Sequence, residues 1–66
     1  MLDVNKLKGK IIEKGKNVEA VALDIGIDSS TFYRKMKNNS FEIEEADKIV
    51  KVLELSRDDA MSIFFS

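Results

Sequence analysis

The sequence predicts an all-α domain made of five short helices. Proline is absent, glycine occurs only three times, and apolar residues recur mostly at three- and four-residue spacing. A first helix is expected from Val4 to Lys14, with Asp3 capping its start and Val4, Leu7 and Ile11 on one stripe. Gly15 ends it. Gly9 inside this helix costs roughly 1 kcal/mol relative to alanine, so it marks either a close approach of another backbone or a weak spot.

Asn17 is a good N-cap for a second helix through Ile25, in which Val18, Val21, Ala22 and Ile25 form one face. Gly26 stops that helix because glycine enters the left-handed region freely. Asp28 is placed to cap a third helix that runs to about Lys37 and buries Phe32 and Met36. Asn38, Asn39 and Ser40 form the next loop. A fourth helix, Ile43 to Leu53, turns Ala46, Ile49, Val50 and Leu53 inward and Glu44, Glu45, Asp47, Lys48 and Lys51 outward. Ser56 followed by Asp59 is a capping-box pattern that opens a fifth helix carrying Ala60, Ile63 and Phe64.

A chain of 66 residues has room for one small core, burying only about 60% of its unfolded surface. Residues 1–66 are therefore read as one domain, without a fused sensor or catalytic unit. With no Cys and no His, disulfides, zinc sites, thiol nucleophiles and the commonest general base are excluded. Neither cofactor, metal nor small-molecule ligand is expected. The longest apolar runs, Ala20 to Leu23 and Ile63 to Phe65, fall far below the ~20 residues that cross a bilayer, and the N-terminus lacks a signal peptide's apolar stretch. The expected location is cytoplasmic. Paired acids such as Glu44–Glu45 and Asp58–Asp59 point about 100° apart on a helix and read as surface charge, not as a catalytic pair.

The net charge of −1 conceals a segregated pattern. Residues 1–17 and 29–40 each carry +3, whereas residues 18–28 carry −3 and residues 41–66 carry −4. Such an arrangement suits one face toward phosphate and another toward solvent or a partner, and it also occurs on ordinary solvated surfaces.

Residues 18–37 are the most informative: two short helices separated by Gly26 and Ile27, with a small Ala22 where the helices must approach. That layout is a helix-turn-helix. Together with the run Asp28 to Lys37, then Ser40-Phe41 and the closing Ile63-Phe64-Phe65, it resembles the Cro and phage-repressor family over nearly the whole chain. The resemblance implies a compact, λ-repressor-like five-helix fold. It also implies a phage or prophage regulator that represses transcription by occupying a two-fold operator as a homodimer.

In that family the third helix enters the major groove, which would set Ser29, Ser30, Tyr33 and Arg34 toward base edges. Arg34, able to bond both N7 and O6 of guanine, is expected to carry most of the specificity. Tyr33 meets a thymine methyl, meets a phosphate, or packs at the edge of the core. Contacts to the DNA backbone are implied for Asn17, the Val18 amide, Lys35, Lys37, Asn38, Asn39 and Ser40. Val18 stands where the family often carries Gln, and Glu42 where a Thr cap is common. Lys6, Lys8 and Lys10 add nonspecific attraction or form a solvated face. Ile63, Phe64 and Phe65 are expected at a dimer interface. The alternative class is a helical protein-binding module, antirepressor- or antitoxin-like, that captures another regulator.

Overall fold

Asp3, Asn17 and Ser56 each accept, through a side-chain oxygen, the backbone N–H of the residue three ahead, and each opens a helix. The computed structural model describes residues 1–66, with five helices and no strand: α1 (Val4–Glu13), α2 (Val18–Ile25), α3 (Ser29–Asn38), α4 (Ile43–Val52) and α5 (Arg57–Phe64). Asp28 holds the extended backbone of an N-cap ahead of α3, yet its carboxylate makes no capping hydrogen bond, contrary to expectation. Ahead of α4, Glu42 donates its own N–H to the Glu45 carboxylate at 2.9 Å, which anchors the helix start from the opposite direction.

The first four helices end alike. Gly15, Gly26, Asn39 and Glu54 have positive φ, and the N–H after each returns to the carbonyl five residues back, from Lys16, Ile27, Ser40 and Leu55. This is the left-handed closure that satisfies the last carbonyls of a helix. Glycine adopts it without steric cost at the first two sites; Glu54 pays for its Cβ.

Helix α2 lies at the centre, packed on α1, α3 and α4, and α1 also packs on α5. The buried residues are all apolar and include the expected Leu7, Ile11, Val18, Val21, Ala22, Ile25, Phe32, Met36, Ile49 and Leu53, together with Ile63, which was expected at a dimer interface. Phe32 anchors α3, its ring 5.0 Å from that of Phe41 in an edge-to-face pair. No backbone approaches Gly9, where an added Cβ would meet nothing within 4 Å, so of the two readings the weak spot stands. The two ends of the chain are tied together: Asp3 N–H donates to the Ile63 carbonyl at 2.7 Å and Ser66 N–H to the Met1 carbonyl at 3.1 Å. No helix is long and apolar enough to cross a membrane.

Candidate nucleic-acid interface

Because Phe32 and Met36 hold one side of α3 in the core, the opposite side is fixed by helical geometry. Ser30, Tyr33, Arg34 and Lys37, at i, i+3, i+4 and i+7, are exposed along it, while Ser29 is half-buried at the start. A ten-residue helix is about 15 Å long, a length that fits within a major groove. The turn before it is closed onto the end of α2 by two hydrogen bonds, Gly26 N–H to the Leu23 carbonyl and Ile27 N–H to the Ala22 carbonyl, and α3 packs against α2.

The cations of the protein divide into committed and free. Lys10 bridges Asp59 at 3.0 Å and Glu13 at 3.1 Å, and the Asp59 bond, then the Glu13 bond, hold its amine above the usual lysine range. The same Lys10 bond lowers the Asp59 carboxyl against the opposing effect of desolvation. Lys16 pairs with Asp24 and Lys51 with Asp47. Lys6 contacts the Ser62 hydroxyl. Lys8, Lys14, Arg34, Lys37, Lys48 and Arg57 form no salt bridge.

Lys35 is the main departure from the expected backbone contacts. Its ammonium lies 2.7 Å and 2.8 Å from the two carboxylate oxygens of Glu45, and the two side chains are only 16% and 13% exposed. It joins α3 to α4 and is not offered to a phosphate. Glu45, expected to face outward, is therefore an inward-facing partner. Burial works against its charge, but the Lys35 hydrogen bonds, the Glu42 N–H and the Lys35 and Lys48 charges outweigh that and hold its carboxyl below the usual range.

The loop after α3 is similarly occupied. The N–H groups of both Asn39 and Ser40 return to the Lys35 carbonyl, and Asn39 Oδ1 accepts Leu2 N–H at 3.0 Å. Asn39 is thus a structural clasp between the end of α3 and the N-terminus, and neither amide is available for a phosphate. Asn38 and the Ser40 side chain are exposed. Asn17 uses Oδ1 to cap α2, and the first-turn amides of Val18 and Glu19 have no acceptor within the helix.

The expected dimer residues also separate. Ile63 is fully buried in the core, so it cannot be part of a docking surface. Phe64 is half-buried and Phe65 is 73% exposed. They belong to a wider apolar face: Ala46 and Val50, expected to turn inward, are only half-buried and with Ile43 of α4 meet Ala60 and Met61 of α5 around a cavity of about 210 Å³. Ile43 is 88% exposed at its rim. The i, i+3, i+7 spacing of Ile43, Ala46 and Val50 was the available signal. There is no cluster of three or more carboxylates, cysteines or histidines able to hold a metal ion. Compared with protein-family models, curated proteins and solved structures, the chain matches none.

Proposed function

We propose that this chain is a sequence-specific DNA-binding regulator with a λ-repressor-like helix-turn-helix, a Cro-like phage repressor that occupies a two-fold operator as a homodimer. One observation carries the reading: the exposed edge of α3 presents Ser30, Tyr33, Arg34 and Lys37 with no carboxylate bonded to either cation, on a helix anchored by Phe32 and Met36. Arg34 recognises a guanine in the major groove, Ser29 and Ser30 add weaker base contacts, and Lys37, Asn38 and the Val18 amide hold phosphates.

The second copy docks on the α4–α5 face. Only Asp47 interrupts an otherwise apolar lining, so the matching surface is another apolar one, and an isologous contact supplies it from the same chain. The protein measures 27 × 24 × 20 Å, so two copies side by side can set their α3 helices apart on the scale of the ~34 Å between successive half-sites.

Selection from random duplexes, followed by mobility shift, tests the reading. The wild-type chain should recover one two-fold motif, and Arg34→Ala should bind it about 1–3 kcal/mol more weakly and lose discrimination at one base pair per half-site. Recovery of no motif by the wild type refutes DNA reading. The same α4–α5 face favours the second reading, a protein-binding module, which predicts that outcome together with stable capture of another regulator.

A further inference from the structure

Tyr33 and Lys37 lie one turn apart on α3, and both line a shallow cavity of about 410 Å³. Its remaining walls are Val4 and Lys8 of α1 and Met36 of α3. Two lysine side chains and the tyrosine therefore share one cavity with two apolar residues, and no carboxylate lines it. Neither lysine forms a salt bridge, in contrast to Lys10, Lys16, Lys35 and Lys51.

A neighbouring cavity of about 270 Å³ is also lined by Lys8 and Tyr33, but there Lys16 is neutralised by Asp24 and Glu19 adds a carboxylate. The first cavity is thus the better place for an anion. Ser30 and Arg34 line neither cavity, so the exposed edge of α3 has two lanes.

We propose that Lys8, Tyr33 and Lys37 form a binding site for one phosphate of the DNA backbone, on the α1 side of the base-reading lane. The site rests on the reading of the protein as a DNA-binding regulator and adds α1 to its contact surface. Two cations and a phenolic O–H supply donors for the oxygens of a phosphodiester, and the apolar side chains of Val4 and Met36 strengthen those charge-assisted bonds. A free phosphate presents the same oxyanion. The duplex is the source favoured here because the cavity adjoins the lane of Ser30 and Arg34. Tyr33 then meets a phosphate and reads no base.

The chain has one tyrosine and no tryptophan, so ultraviolet emission excited near the tyrosine band reports on Tyr33. Addition of a specific duplex should change that emission, and inorganic phosphate at matched phosphate concentration should not. Lys8→Gln should leave the melting temperature unchanged, weaken every duplex about tenfold, retain the selected motif and reduce the salt slope by about one. Tyr33→Phe should weaken binding severalfold without changing the slope, and the two changes together should cost less than the product of their separate effects.

A Lys8→Gln variant with wild-type affinity and slope overturns the site, as does a Tyr33→Phe variant that selects a different motif. An equal emission change with inorganic phosphate alone overturns the assignment to DNA. Failure of the wild-type chain to shift any duplex refutes the underlying DNA reading, an outcome distinct from failure confined to the two variants.

Discussion

The bond between α3 and α4 can be removed at a single atom pair by Glu45→Gln. The carboxylate of Glu45 receives Lys35 Nζ at 2.7 and 2.8 Å and the Glu42 N–H at 2.9 Å, and both charged side chains are mostly shielded from water. Glutamine retains one acceptor for the Glu42 N–H but loses the charge that compensates Lys35. A hydrogen bond to a charged group contributes about 1.5–3 kcal/mol, and part of this is recovered because Lys35 can turn toward solvent. A loss of about 1–2 kcal/mol is expected, and at this chain length each kcal/mol lowers Tm by about 4–8 °C. Because the folded-state pKa of Glu45 is depressed, its stabilisation is present above the ordinary carboxylate value and is lost as pH falls through the lower folded value. Thermal melts followed by circular dichroism should therefore show wild type above Glu45→Gln at pH 7, with the gap narrowing at acid pH. Equal melting temperatures at pH 7, or a gap that persists unchanged in acid, would refute the assigned role of the pair.

Gly9→Ala should stabilise the protein by about 0.5–1 kcal/mol, since the added methyl meets no neighbour and the helix gains propensity, as read from its Tm. Glu54→Gly should also raise Tm, by roughly 0.5–1 kcal/mol net, because relief of a Cβ at φ 50° outweighs the added freedom of the unfolded chain. Phe65→Asp should shift sedimentation toward the monomer with little change in helical content, whereas truncation after Ser62 removes Ile63 from the core and unfolds the chain.

Helix positions were legible because their signals are local. Asp3, Asn17 and Ser56 act within three residues of themselves, and Gly15 and Gly26 act through their own φ. The inward faces of α2 and α3 follow equally from spacing. The partners of charged groups were not legible, because they are set by tertiary contact: Lys35 finds Glu45 ten residues away, and Lys10 finds Asp59 at the far end of the chain. Periodicity alone likewise could not separate Ile63 from Phe65 in an apolar run of three, since the distinction depends on how the last turn of α5 meets α1. Lys8 gave no signal of its own; its relation to Tyr33 exists only once α1 and α3 have both packed on α2 and line a common cavity.

The charge balance bears directly on how a DNA reader of this kind would work. A net charge of −1 provides little long-range attraction to a polyanion, and four of the lysines are already engaged by carboxylates. Of the seven cations outside those pairs, only Arg34 and Lys37 on α3, with Lys8 across a shared cavity, form a strip at the candidate interface, set against acids on α2 and its turn. Nonspecific affinity scales with the number of phosphates neutralised, so it is weak for so few free cations. Specific affinity depends on base contacts made at close range and is affected less. A DNA-binding regulator built this way would gain discrimination from a low nonspecific background more than from a strong site, and it would rely on two copies engaging together, which doubles the base contacts and the phosphate contacts in one event. On the proposed reading, the apolar α4–α5 face and the cationic strip would be parts of one device: without the first, the second would be too small to hold an operator.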